Sequence, residues 1–326
     1  MSTRLGDYDY ELPAELIAQH PLPRREDSRM LVLRRDQQTI EHARFIDVKN
    51  FLRDADLLVL NDSRVLPARH FSDDGRIEFL FLQKLTPHRW KVLVKPGRRF
   101  RTGMAVSIKG VRVEVGKYFP DGSREVLLSD EVDFQRGGLM PLPPYITRSN
   151  GAEDETRYQT VFAQSDGSLA APTAGLHFTP EILGCIPHVF VSLHVGTATF
   201  RPVKADDISQ HQMHPEPFCV SDEAAHAIRN AARRVAVGTT TVRILESVYR
   251  RFGEIRAIES ETNIFIYPPF QFRAVDVLLT NFHLPRSTLL MLVSAFAGRD
   301  FVLYAYEEAV RAQYRFFSYG DCMLIF

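Results

Sequence analysis

The sequence predicts an α/β main domain, with a largely parallel or barrel-like sheet, into which a small all-β barrel domain is inserted. Three observations predict it. Over residues 150–326, apolar strand-like runs alternate with amphipathic helical stretches. Between 63 and 149 this gives way to short β-rich runs bounded by Gly, Pro or Asp, with no helical period. A chain of 326 residues is also long enough to bury two cores. The expected boundaries are 1–62 with 150–326 for the discontinuous α/β domain and 63–149 for the insertion.

In chain order, Pro13 opens a short helical stretch, PAELIAQ, followed by the proline-punctuated loop HPLPRREDSR. MLVLRR reads as a strand and IDVKNFLRDAD as a short amphipathic helix. DLLVLNDSR is an apolar strand that stops abruptly at Asn61 and Asp62. Within the insertion, RIEFLFLQ, WKVLVKP, MAVSIKG, VRVEVGKYF and REVLLSD read as strands, and GGLMPLPPY returns the chain to the main domain. HVFVSLHVG is then a strand and SDEAAHAIRNAARR a helix. In that helix Ser221 caps, Asp222 and Glu223 occupy the first turn, and Arg233 and Arg234 close it. RVAVGTTT ends a strand, TVRILESVYRRF is a helix, AVDVLLTNF a strand, and STLLMLVSAFAG and YAYEEAVRAQY are helices before FFSYGDCMLIF.

Composition narrows the function classes. Forty basic residues balance forty acidic ones, so net charge announces no polyanion partner and any nucleic-acid site must be a local patch. The three cysteines, Cys185, Cys219 and Cys322, form no CxxC pair, which argues against zinc or a disulfide framework and for a reducing compartment. MSTRLGDYDYEL lacks the features of a signal peptide, and no apolar run nears the roughly 20 residues of a membrane span. A soluble cytoplasmic protein with no membrane partner is expected.

The chemistry concentrates where apolar strands end in polar turns: Asn61-Asp62, Gly196-Thr197, Gly238 to Thr241 and Thr280 to His283. Parallel strands would bring these ends to one rim, where ligands of α/β sheets bind. AAPTAGLHFTP, with Thr173 and His177, is a tight turn that sets polar groups between packed Leu176 and Phe178. In VAVGTTTVRILES, Gly238, Thr239 and Thr240 open a helix whose N–H and hydroxyl groups suit an anionic or ribose-type ligand; simple capping by threonine is the alternative. No GxGxxG, GxxxxGK[ST] or GxSxG occurs, which counts against dinucleotide, P-loop and serine-hydrolase chemistry. HQMHPEPF offers His211, His214 and Glu216, but Pro215 and Pro217 deny it a helix and no second cluster completes a site, so no metal is expected. KPGRRFR, with Lys95, Arg98, Arg99 and Arg101 around Phe100, is the densest basic patch. It reads as an RNA-phosphate contact or as a solvated turn.

The stretches DYDYELPAELIAQHPLPRREDSR, LVLNDSRVLPAR, PLPPYI, RYQTVFA, AAPTAGLHFT, LHVGTATFRPV, HQMHPE, VAVGTTTVRILES, TNFHLPRSTLLMLVSAFAG and YRFFSYGD together resemble the S-adenosylmethionine:tRNA ribosyltransferase-isomerases of queuosine biosynthesis. The resemblance runs over nearly the whole chain. It implies a transfer without metal or redox cofactor, with S-adenosylmethionine as co-substrate. The acceptor is a tRNA anticodon stem-loop carrying a 7-aminomethyl-7-deazaguanine at the wobble position. The ribosyl group is isomerised to an epoxycyclopentanediol, giving epoxyqueuosine-tRNA, and adenine and methionine leave. Histidines suit the base and acid this needs, which makes His177 and His283 the catalytic candidates with neither role assigned. Asn61, Asp62, Thr173, His194, Gly238, Thr239, Thr240, Arg243 and Asn281 are the candidate substrate-binding residues, Arg243 being suited to a carboxylate. The chain departs from the pattern in the shortened hairpin HFSDDGRI, at Ala198 and at Pro269, where the family usually has a longer hairpin and glycines. A non-catalytic tRNA-binding relative and an S-adenosylmethionine-dependent methyltransferase are the alternatives.

Overall fold

The computed structural model describes residues 3–196, 203 and 205–326; Thr197 and Ala198 lie outside them. The chain forms two compact units. One comprises Met1–Arg64, Pro144–Arg148 and Gln159–Phe326, the other Val65–Pro143 and Ser149–Tyr158. Residues 144–148 thus pack with the first unit, and 149–158 with the second.

The first unit begins with β1 (Arg29–Arg34), whose centre is fully buried, and β2 (Thr39–Arg44), a polar edge strand. The sequence did not announce β2, because TIEHAR carries no buried face. The helices expected at PAELIAQ and IDVKNFLRDAD shrink to a 3-10 turn, Ala14–Leu16, and a single turn, α1 (Val48–Phe51). Each buries one residue, too little to offset helix nucleation. Then come β3 (Asp56–Asn61) and the short β4 (Ser63–Val65).

The second unit holds β5 (Arg69–Phe71), β6 (Glu78–Thr86), β7 (Arg89–Lys95), β8 (Ala105–Ile108), β9 (Val111–Tyr118) and β10 (Arg124–Leu128). They form one antiparallel sheet in the order β5-β6-β7-β10-β9-β8. The sheet curls toward closure: Asp73, after β5, donates its N–H to Ser107 O of β8 at 2.8 Å, and its carboxylate accepts from the N–H groups of Lys109 and Gly110. Its interior is aromatic, with Phe81 stacked on Phe134 (4.4 Å) and edge-on to Trp90 (5.6 Å). The one-turn α2 (Asp154–Arg157) belongs to this unit.

The chain continues in the first unit with β11 (Ser165–Ser168), which pairs with β4, then α3 (Pro180–Gly184), β12 (His188–Leu193) and β13 (Glu216–Val220). Next come α4 (Asp222–Asn230), β14 (Arg233–Val237), α5 (Thr239–Phe252), β15 (Ile258–Thr262), β16 (Val277–Asn281), α6 (Thr288–Ala297), α7 (Arg299–Arg311) and β17 (Cys322–Ile325). Ser221 caps α4 as expected, accepting from Ala224 N at 3.2 Å. Arg233 and Arg234, however, are strand residues rather than the helix end. Arg233 forms a bidentate pair with Asp56, and Arg234 binds Asp276.

The main sheet has nine strands in the order β15-β13-β12-β3-β14-β16-β17-β1-β2. It is mixed rather than largely parallel or barrel-like. β12, β3, β14 and β16 run parallel, as do β17 and β1, while the β16–β17 pair and the outer pairs are antiparallel. The reason lies in the connections. Between β16 and β17 the chain makes two helices, α6 and α7, which fold back at 114°. A two-helix crossover returns the next strand in the opposite direction.

Strand residues feed two cores alternately. Leu31, Val59, Ala236, Leu278 and Met323 face the core covered by α4 to α7. Met30, Leu58, Val235, Leu279 and Leu324 face the other, with Phe45, Phe178 and Leu183. This parity assigns each polar strand-end residue to a face.

Because Phe81 is fully buried among four rings, Phe81→Ala is expected to cost about 3–5 kcal/mol. Phe81→Leu should cost clearly less, as read by urea denaturation; equal, small losses would mean that this core is loosely packed.

Candidate active site

One rim of the main sheet carries the polar strand ends. The parallel strands β12, β3, β14 and β16 present their C-terminal ends there, and antiparallel β13 and β17, with β1, present their N-terminal ends. His194, Asn61, Asp62, Gly238 and Asn281 therefore share that edge with Glu216, Asp321 and Ser28, at the carboxyl ends of parallel strands where ligands gather.

Asn61 is the most tightly engaged. Its amide accepts from Leu193 N (3.0 Å) and Ser63 N (3.1 Å) and donates to Leu193 O (3.0 Å) and Thr240 Oγ1 (3.4 Å). Asp62 accepts from Ser192 Oγ at 2.5 Å. The half-buried His194 ring lies over Gly167, where an added Cβ would fall 2.9 Å from His194 Nδ1, and that Nδ1 has no partner among the described residues. Burial lowers the His194 pKa, against the pull of Asp62 and Asp166.

Gly238 turns β14 into α5 at φ 88°, a conformation that favours glycine, and donates its N–H to Leu279 O (2.8 Å). It offers α5 no side-chain cap. Thr241 does not cap either; it donates back to Val237 O. Thr239 is buried and Thr240 partly so, beside Asn61. Thr173 begins the 3-10 turn Thr173–His177, in which Gly175 is required because a Cβ would sit 2.8 Å from Phe162. That turn places Ala174 against Gly238.

His177 ends the turn inside the core. Its Nδ1 lies 2.9 Å from Ser28 Oγ, and its Nε2 lies 3.2 Å from Asn281 Nδ2. Ser28 donates its single hydroxyl proton to Arg25 O, so it accepts from His177 Nδ1–H. Nε2 is then the lone-pair nitrogen, accepting from the Asn281 amide. Carbonyls Phe317 O and Asp321 O, each 3.3 Å away, fix that end of the Asn281 amide as nitrogen, and its buried Oδ1 has no partner among the described residues. Asp321 in turn accepts from the N–H groups of Arg29 and Arg315. Burial, reinforced by Arg25 and Arg315, lowers the His177 pKa to about 3.

His283 lies elsewhere. Its Nε2 meets Thr280 Oγ1 (2.9 Å), its N–H donates to Tyr306 Oη (3.0 Å), and its carbonyl accepts from Tyr10 Oη (2.5 Å). By strand parity Thr280 faces the core beneath α7, whereas Asn281 faces the opposite core with His177. The two expected catalytic histidines thus fall on opposite faces of the sheet and do not form one acid–base pair. Burial also lowers the His283 pKa to about 3.

Arg243, in the second turn of α5, is buried and pairs through Nη1 with Glu216 Oε2, while Glu216 Oε1 accepts from Gly196 N. The HQMHPEPF stretch thereby divides: Glu216 faces Arg243, His211 packs edge-on to Phe265, and His214 is exposed. Among the described residues, no group of three or more His, Cys, Asp or Glu is gathered for a metal. In the second unit, Lys95, Arg98 and Arg101 are exposed and make no ion pair with the described residues, but Phe100 is fully buried against Phe79. Phe100 is a core residue and not a platform for stacking bases. The sequence reading did not single out Arg25, Ser28, Arg315 or Asp321; only their place in RREDSR and YRFFSYGD hinted at them.

A mixed α/β sheet with buried polar groups along one rim has the kind of strand ends at which α/β proteins commonly bind ligands. The chain belongs to the queuosine biosynthesis protein family, whose model matches residues 5–325. It is 48% identical to a protein of Halothermothrix orenii and 49% identical to one of Symbiobacterium thermophilum, each pair aligned over 99% of both chains. Both relatives are called S-adenosylmethionine:tRNA ribosyltransferase-isomerase. A crystal structure of an S-adenosylmethionine tRNA ribosyltransferase from Thermotoga maritima is 40% identical. The match covers 98% of this chain and all of that one, with a TM-score of 0.57. Among the described residues no single helix is long and apolar enough to cross a membrane.

His177 and His283 stay proton-free in the folded protein until near pH 3, but in the unfolded chain they take up protons below about 6.5. Stability is therefore fully present above 6.5 and lost as pH falls from there toward 3. His177→Gln is expected to flatten that slope by about 1.4 kcal/mol per pH unit, measured by urea titrations at a series of pH values. An unchanged slope would mean that His177 is already protonated when folded.

Proposed function

We propose that this chain transfers the ribosyl group of S-adenosylmethionine to a tRNA base and isomerises it, as its relatives' names describe. The observation that carries this reading is the rim itself. In a chain of this family it gathers amide, hydroxyl and guanidinium groups suited to a polyhydroxylated, zwitterionic donor. The acceptor in this proposal is 7-aminomethyl-7-deazaguanine at the wobble position of the anticodon stem-loop. The products are epoxyqueuosine-tRNA, adenine and methionine, and the setting is cytoplasmic.

The sulfonium acidifies the adjoining ribose C–H. Removal of that proton drives out adenine, which needs a proton on leaving, and the base's aminomethyl nitrogen takes up the ribosyl carbons as methionine departs as a neutral thioether. His177 enters proton-free, so it fits an acceptor role and not the role of the acid. His283 would hold the end of β16 in place from the opposite core. Asn281, Thr239 and Thr240 would meet ribose hydroxyls, with Asn61, Asp62, Thr173, His194 and Gly238 shaping the rim.

With modified-ready tRNA and S-adenosylmethionine, the protein is expected to release free adenine in step with tRNA modification, followed by chromatography. S-adenosylhomocysteine in its place would establish methyl transfer. Bound tRNA with no turnover would establish a non-catalytic RNA-binding protein.

The exposed Lys95, Arg98 and Arg101 of KPGRRFR in the inserted β domain, together with Arg99 of the same segment, are proposed to hold tRNA phosphates, which lets a chain of zero net charge bind RNA. Replacing Arg98, Arg99 and Arg101 together by alanine should weaken tRNA binding. It should also flatten its logarithmic salt dependence by about 2, roughly 0.7 per lost contact. S-adenosylmethionine affinity should not change. If affinity and slope both survive, the patch is a solvated turn.

A further inference from the structure

Arg243 holds a feature that folding alone leaves unexplained. It is 4% exposed, and its partner Glu216 is 3% exposed. Nη1 is committed to Glu216 Oε2, and Glu216 is itself aimed by the Gly196 N–H at 3.0 Å. Nε and Nη2 are buried and have no acceptor among the described residues. These two atoms form one side of the guanidinium fork, two parallel donors spaced to meet both oxygens of a carboxylate. A buried, unmatched donor is costly, and a charged one more so. A purely structural ion pair would be served by Nη1 alone.

The surroundings favour an anion. Arg243 is the fifth residue of the 14-residue α5, whose first turn has no side-chain cap and ends beside Asn61 and Thr240 on the rim. Glu216 already balances the guanidinium, so the incoming anion must bring compensating charge of its own. An α-amino acid does so through its ammonium.

We propose that the Nε/Nη2 edge of Arg243 grips the α-carboxylate of the amino-acid half of the sulfonium donor, with Glu216 as the positioning residue that holds the fork in register. This rests on the proposed use of S-adenosylmethionine. It assigns the methionine end of the donor to the β13–α5 side of the rim and the ribose toward Thr240 and Asn61.

The test compares equilibrium binding of S-adenosylmethionine and of decarboxylated S-adenosylmethionine to the full chain. The unaltered protein should prefer the carboxylate-bearing compound by about tenfold to a hundredfold, the strength of a charge-assisted bidentate contact. Arg243→Lys keeps a cation for Glu216 but removes the fork. It should bring the two affinities to within about threefold by weakening S-adenosylmethionine alone, with a melting temperature close to that of the unaltered protein. Equal affinities in the unaltered protein overturn the inference while leaving the ribosyl-transfer reading intact, and need no variant. Binding of neither compound overturns both. A preference that survives Arg243→Lys while tRNA binding falls would assign the edge to an RNA phosphate and overturn the inference.

Discussion

The Asn61 amide fastens three segments at once. A strand that stops in the middle of a buried sheet leaves peptide N–H and C=O groups with no ladder to join, and each unpaired one is costly. At the end of β3 the Asn61 side chain stands in for the missing peptide. It pairs both ways with Leu193, the last residue of β12, and reaches Thr240 at the start of α5. Without it, the ends of β3 and β12 and the helix start would have to part to let water in. Glu216, Arg243, His194 and the threonines take their positions from those same ends.

Along the rest of the rim several buried polar groups are tied to backbone. Asn281 is held by the carbonyls of Phe317 and Asp321, Asp321 by the N–H groups of Arg29 and Arg315, and Glu216 by Gly196 N–H. The consequence is a set of neutral or internally balanced groups. His177 is kept uncharged by burial and by two nearby arginines, and Asp321 is pushed up by burial. The uncharged His177 thus adds no positive charge to the rim. The rigidity comes from the ties, and the rim atoms left untied among the described residues, which include Asn281 Oδ1, His194 Nδ1 and the Arg243 fork, are where a ligand has something to gain.

The second unit divides its labour differently. Its sheet curls around an aromatic interior that includes Phe79, Phe81, Trp90, Phe100 and Phe134, so its shape is fixed by packing. Phe100 anchors the KPGRRFR segment to that interior, and Arg124 donates to the carbonyls of Gly97 and Phe100. The segment is therefore a firm loop with Lys95, Arg98 and Arg101 turned to solvent. Cations on a fixed loop contribute more to backbone register on an RNA than the same cations on a floppy one.

The sequence by itself determined the local elements with strong periodicity or capping: β3, α4 with Ser221, α5, α6, the β-rich texture of the insertion and the polar character of the strand ends. Those are properties of a few consecutive side chains. It also carried the family, whose motifs run the length of the chain. Only the tertiary structure decided that β17 runs against β16, since strand direction depends on how many helices cross over between them. It decided that Arg233 and Arg234 end their reach on Asp56 and Asp276 rather than at a helix terminus. It also set His177 and His283 on opposite faces. A single step along β16, from Thr280 to Asn281, exchanges one core for the other, and which core lies on which side depends on packing of segments more than a hundred residues apart.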